Sequence, residues 1–218
     1  MSEFKYDVFI SYAHTDNNPE AGVRWVDSLQ DALAKFLQFR LGRAARIWRD
    51  TAQLKTGDDF ETKILEALEQ SASIVVATTS TFVKREWFTK EYQQFLAAEK
   101  PPIPNKTRIL IVYKTKMAQE ELPEYFRQFI GFNMFVEEPE GETSTLLPTG
   151  ETNQLFFLKA SKIADAIQQT VAQSDAGVRA WQEHRVDRVV HSQAEAKRSF
   201  ARSFTKSLMS FLRNLLPV

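Results

Sequence analysis

Trp87 and Glu91 stand four residues apart in Trp87-Phe88-Thr89-Lys90-Glu91, a spacing that puts two side chains on one face of a helix. An indole beside a carboxylate makes a flat stacking surface with an acid at its edge, suited to a small aromatic ligand that carries hydroxyl groups. The more apolar stripe Phe88, Tyr92, Phe95 and Leu96 turns about 100° away and faces a core. In an arbitrary helix the same pair is explained as well by packing of the indole and by an ion pair between Glu91 and Lys90 or Lys84. The place of the segment in the fold has to decide between these readings.

The elements that position it are legible as alternating patterns. Short apolar runs at Val8–Tyr12, Arg46–Trp48, Ser73–Thr79, Arg108–Tyr113 and Asn133–Val136 are candidate strands. The first, third and fourth are almost continuously apolar and rich in Val and Ile, as strands covered by helices on both faces are. Helical spacing appears between them, through Val23, Val26, Leu29, Leu33, Phe36 and Leu37, and again through Phe60, Ile64, Leu65 and Leu68 after the turn at Gly57, with Asp58 and Asp59 as cap candidates. A third helix carries Trp87 and Glu91. A fourth is expected over about Gln119–Phe129, interrupted by Pro123 unless the proline falls in the first turn, and a fifth through Phe157, Ile163, Ile167 and Val171, after a loop holding Gly141, Pro148 and Gly150. Such alternation predicts an α/β fold, a flavodoxin-like three-layer sandwich around a five-stranded parallel sheet with right-handed crossovers. Ligands in these sheets sit beyond the carboxyl ends of the strands where the winding order reverses, here between the first and third strands. Ser11 to Asp16 and the stretch from Thr78 into the Trp87 helix should meet there.

Composition narrows the chemistry. A chain of 218 residues exceeds one typical domain of roughly 100 to 200 residues, which fits one domain with a tail better than two domains. The 28 basic and 28 acidic residues cancel, so the overall balance points neither to nucleic acid nor to a membrane. There is no cysteine, which excludes disulfides, thiolate nucleophiles and the common structural zinc sites; no metal and no cofactor are expected. The N-terminal residues lack a basic stretch followed by a long apolar run, and no segment reaches about 18 apolar residues, so a cytoplasmic protein is expected. No Gly-x-Gly-x-x-Gly follows the first strand and no Gly-x-x-x-x-Gly-Lys-Ser/Thr occurs, leaving no familiar phosphate cradle. Ser11-Tyr12 and Thr78-Thr79 occupy the strand ends where a phosphoacceptor receiver needs acids. A Gly-x-Ser-x-Gly elbow is missing, and of the three histidines only His14 lies near the crevice, which argues against a serine hydrolase.

Three ordered segments resemble one family: Tyr6-Asp7-Val8-Phe9-Ile10-Ser11-Tyr12, then Ile47-Trp48-Arg49-Asp50 leading through Leu54 and Gly57 into the second helix, then Trp87 with Glu91 after Ser80. The chain resembles a Toll/interleukin receptor (TIR) domain of the bacterial kind over residues 4–174, with 175–218 as a basic amphipathic tail. Some TIR domains are adaptors; others are similar to NAD⁺ glycohydrolases and cyclases. The resemblance implies that Glu91 is catalytic and that Trp87 lines the nicotinamide side of the pocket, with Ser11, Tyr12, His14 and Asp50 as substrate-shaping neighbours. It also implies that the Asp50–Asp59 loop, through Leu54 and Gly57, mediates assembly into a homo-oligomer. Such a protein would be an effector of bacterial, anti-phage immune signalling with NAD⁺ as substrate.

The chemistry agrees. Nicotinamide leaves its ribose as a neutral pyridine, so the general acid of ordinary glycosidases is dispensable and one carboxylate can hold the ribose hydroxyls and stabilise the oxocarbenium. Each residue also has a plainer reading: Asp50 as a cap of the Thr51 turn, His14 as a loop residue, Asp7 as a structural group at the far end of its strand, and Arg40, Arg43, Arg46 and Arg49 as a solvated rim. Two alternatives stand beside the enzyme, a scaffold TIR domain acting by homotypic contacts and a nucleoside deoxyribosyltransferase-like protein.

In the tail, Phe200, Phe204, Leu208, Phe211 and Leu215 recur at steps of three and four, and residues 179–218 carry eight basic and three acidic side chains, net +5 against −5 for the rest. Residues 197–218 read first as packing on the domain or within an oligomer, then as a membrane-surface helix, then as a link to a partner protein. No direct contact with nucleic acid is expected.

Overall fold

The computed structural model describes residues 4–49, 58–83 and 108–177. The chain divides into one unit over Met1–Ala176 and a second over Gly177–Val218. In the first unit, strands β1 (Tyr6–Ser11), β2 (Ile47–Arg49), β3 (Ser71–Thr78), β4 (Ile109–Tyr113) and β5 (Ile130–Asn133) form a parallel sheet in the order β2-β1-β3-β4-β5. Helices α1 (Trp25–Leu41), α2 (Asp58–Glu69), α3 (Ser80–Val83) and α4 (153–177) complete the layers. This is the expected flavodoxin-like sandwich.

The strands bury both faces because their side chains alternate between two cores. Val8, Ile10, Val75, Ala77, Leu110 and Val112 face α1 and α4 and pack with Trp25, Leu29, Leu33, Phe156, Ile163 and Ile167. Their neighbours Phe9, Ile74, Val76, Ile109 and Ile111 point the other way, onto Ile64, Leu68, Phe82 and Phe126. Every residue of β3 is buried, which is why that run shows no polar alternation. At one edge Trp48 of β2 stacks on Phe9 at 4.5 Å between ring centroids.

Three expectations are corrected. Gln119–Phe129 is not a helix but two 3₁₀ turns, Gln119–Glu121 and Glu124–Phe126, split by Pro123 in an extended conformation. A proline there cannot donate the backbone hydrogen bond that would join them. The fifth parallel strand starts at Ile130, earlier than the run Asn133–Val136. The end of that run belongs instead to β6 (Phe135–Glu137), which pairs antiparallel with β7 (Thr143–Thr145) inside the stretch expected to be loop. Strands of three residues on each side of the Gly141 turn are too short to show a period. The row of arginines is a solvated rim only in part: Arg43 and Arg46 stay 41% and 39% exposed while pairing with Asp7 at 2.6 and 2.7 Å, whereas the more enclosed Arg40 and Arg49 pair with Asp165 and Asp27, each at 2.6 Å.

Another arginine closes α2. Buried Arg108, at the start of β4, donates to the carbonyls of Leu68, at 3.3 Å, and of Ser71. The last turn of α2 has no basic residue of its own, so a cation from a distant part of the chain satisfies its carbonyl end. Burial lowers the pKa of Arg108 to about 10.

Candidate active-site crevice

The strand order reverses between β1 and β3. The chain leaves β1 for α1 and β2 on one side, then returns through α2 to β3 on the other, with α1 and α2 on opposite faces. The carboxyl ends of β1 and β3 therefore bound a crevice. Ser11, the last residue of β1, is in register with Val76 of β3. Beyond it the chain passes Tyr12 and Ala13 into a 3₁₀ turn, His14–Asn17, whose first hydrogen bond runs from the Asp16 N–H to the Ala13 carbonyl at 2.8 Å.

The sequence-predicted residues of this loop do come together. Tyr12 and His14 have ring centroids 5.3 Å apart, and the Arg49 guanidinium lies over the Tyr12 ring at 5.5 Å. Arg49 is in turn held by Asp27 of α1, whose other partner is the Asn17 side-chain amide at 2.9 Å. Burial pushes the Asp27 carboxyl up, but the hydrogen bonds from Asn17 and Arg49 outweigh it and lower its pKa. Asn17 also accepts the Val26 and Asp27 backbone N–H groups at 3.0 and 3.1 Å. It thereby caps α1 from the first loop, where the local cap residue Arg24 offers no side-chain acceptor. The loop, α1 and the end of β2 are thus one hydrogen-bonded wall.

The opposite wall begins at Thr78 and Thr79. Thr78 donates to the Val112 carbonyl at 3.2 Å, and Thr79 donates to Asp16 Oδ2 at 2.9 Å. Lys114, just past β4, reaches the Asp16 carbonyl at 3.3 Å and Glu20 at 2.9 Å. Sequence reasoning did not single out Asp16, Lys114, Arg49 or Asn17 as a group, and no local pattern marks them, since their partners lie on other elements. Glu91, Trp87, Asp50, Leu54 and Gly57 lie outside the described residues, as does 197–218. Asp50 follows the last residue of β2, and Val83 of α3 leads into the segment that contains Trp87 and Glu91.

No helix among the described residues is long and apolar enough to cross a membrane.

Comparison with known proteins bears on the family. The chain is 33% identical over 98 residues to the NAD(+) hydrolase TcpA of Theionarchaea archaeon (strain DG-70-1), a match covering 45% of this chain and 26% of the relative. It is 35% identical over 98 residues to the 2' cyclic ADP-D-ribose synthase AbTIR of Acinetobacter baumannii (strain 1295743), covering 45% of this chain and 32% of that protein. The match thus spans about a quarter to a third of the length of these curated relatives. Among solved structures, the TIR domain of the Toll-related receptor TRR-2 from Hydra magnipapillata is similar at 18% identity and a TM-score of 0.38, covering 59% of this chain and 85% of that one. The family model described as "TIR domain" matches residues 8–147, from β1 through the β6–β7 ribbon, and the chain belongs to the TIR domain family.

Proposed function

We propose that this TIR domain cleaves NAD⁺ at the bond between nicotinamide and ribose. The supporting observation is that the loop after β1, with Tyr12 and His14 ring to ring, is tied through Asp16 to Thr79 at the end of β3, at the reversal point of the sheet. From that end the chain runs on toward Trp87 and Glu91. In this reading Trp87 provides a flat wall for the nicotinamide ring, and Tyr12, His14 and Asp50 shape the ribose side. Glu91 binds the ribose hydroxyls and stabilises the oxocarbenium as positive charge develops. That contribution grows from ground state to transition state, so it appears in kcat.

As the C1'–N bond breaks, its electron pair leaves with the neutral nicotinamide. An oxygen of water, or a nucleophilic atom of the same molecule, then bonds to C1' and loses its proton to the medium. The first route gives ADP-ribose and the second a cyclic product. The names of the two relatives, NAD(+) hydrolase and 2' cyclic ADP-D-ribose synthase, support this bond as the target and leave both captures open to this chain. On the same reading the domain is a cytoplasmic signalling effector of bacterial antiviral defence, active when copies assemble through the Asp50–Asp59 loop.

Chromatography of the full chain incubated with NAD⁺ tests the reaction. Nicotinamide release is expected from the wild type, with a fall of at least about a hundredfold in Glu91→Gln, which keeps the shape and removes the charge. Equal release from both would overturn the assigned role of Glu91.

A further inference from the structure

The described wall of the crevice contains a buried acid that this chemistry does not use. Asp16 is 9% exposed, and the Thr79 hydroxyl that donates to it is equally enclosed. The same hydroxyl oxygen accepts the Phe82 backbone N–H at 3.2 Å, beside the Thr79 carbonyl at 3.0 Å. A hydroxyl has a single proton. Giving it to a carboxylate aims the lone pairs away from Asp16, toward the N–H that opens α3, and a charged acceptor makes that commitment strong. Behind Asp16, Lys114 Nζ donates to its backbone carbonyl, and its own N–H is anchored on Ala13. One residue therefore ties together the chain ends that leave β1, β3 and β4. An apolar side chain would hold such a loop without the desolvation cost of a buried acid, so the acceptor geometry is the property the site uses.

We propose that Asp16 is a positioning residue: its carboxylate orients the Thr79 hydroxyl, and the Thr79 cap on Phe82 sets the direction in which the chain leaves β3 toward Trp87 and Glu91. The inference rests on the NAD⁺ reading only for its effect on rate; the orientation itself belongs to Asp16, Thr79 and Phe82.

The test compares the full-length wild type with Asp16→Ala, Asp16→Asn, Thr79→Val, Thr79→Ser and the double variant Asp16→Ala/Thr79→Val, using two readouts. The first is amide hydrogen exchange. Phe82 is expected to exchange at least about tenfold faster in Asp16→Ala and Thr79→Val, while Ile10 and Ile111 in mid-sheet keep their wild-type rates. The second is nicotinamide release from NAD⁺. There kcat is expected to fall about tenfold or more in both single variants with KM within about threefold, and no further in the double variant, because the two residues act as one unit. Thr79→Ser, which retains the hydroxyl, restores most of the rate. Asp16→Asn is isosteric and still an acceptor; it lies between wild type and Asp16→Ala on both readouts and serves if the alanine variant does not fold. Unchanged Phe82 exchange, additive losses in the double variant, uniform acceleration across the sheet, or an Asp16→Asn protein equal to wild type would each overturn the proposal. A wild-type protein that releases no nicotinamide while Phe82 responds as described would sink the NAD⁺ reading and leave the positioning role standing.

Discussion

Asp7 shows how a single buried charge is made tolerable. Its side chain is fully buried, which by itself would raise its pKa, yet hydrogen bonds from the Arg43 and Arg46 guanidinium groups and the Arg46 backbone N–H outweigh burial and hold it at about 2, against an ordinary 3.8. Because the folded state binds this proton less tightly than the unfolded chain, the stabilisation is fully present above pH 3.8 and is lost as the pH falls from there through about 2. The difference corresponds to about 2 kcal/mol. Asp7→Asn is therefore expected to lower stability at neutral pH by about 2 kcal/mol and to flatten the acid limb of the stability curve. Urea unfolding at pH 7 and at steps down to pH 2 checks this, and parallel acid limbs for variant and wild type would count against it. At this scale the sequence was half legible. Asp7 reads as structural because it sits at the amino end of β1, away from the crevice, but its partners lie 36 and 39 residues later, beyond the reach of any local pattern.

Among the elements, those with long, strong periods were the readable ones. β1, β3 and β4 were recognisable because both faces are buried, and α1 because its stripe persists over several turns. Elements of three residues, such as β6, β7 and the 3₁₀ turns around Pro123, are too short for a period and are held by tertiary bonds such as Met134 N–H to the Tyr113 carbonyl at 2.8 Å. The tight turn that brings Glu20 to Lys114 carries a local strain of the same tertiary origin. Glu20 and Val23 exchange two backbone hydrogen bonds of 2.9 Å across Ala21 and Gly22, and both central residues have positive φ, 49° and 78°. Glycine suits that conformation; alanine, with a Cβ facing the carbonyl, does not. Ala21→Asn is expected to raise stability by about 0.5–1 kcal/mol with no change in the sheet, read as a higher thermal midpoint. A lower midpoint would show that the Ala21 methyl packs against something that matters more than the backbone preference.

For the molecule as a whole, the proposal that copies assemble through the segment containing Leu54 makes activity a function of protein concentration. Specific NADase activity is accordingly expected to rise at least about tenfold over a hundredfold increase in protein concentration, as mass action requires of an associating enzyme. Leu54→Asp should hold the concentrated protein at the activity of the dilute one. Activity measured beside light scattering checks both, and a monomer equally active at all dilutions would rule the dependence out.

The sequence by itself determined the succession of elements from β1 to β4 among the described residues, the sandwich they build and the family, because periods of two and 3.6 residues and a few ordered motifs are local properties that survive without coordinates. It also marked Ser11, Tyr12 and His14 for the carboxyl end of β1, since that position follows from the strand order alone. Only the tertiary structure decided which polar groups meet: Asp16 with Thr79 across 63 residues, Lys114 with Asp16 across 98, and Arg49 with Asp27 over the Tyr12 ring. The physical reason is that a polar side chain can be buried only where distant strands, brought side by side by register and crossover, complete its hydrogen bonds, and no single element contains that information.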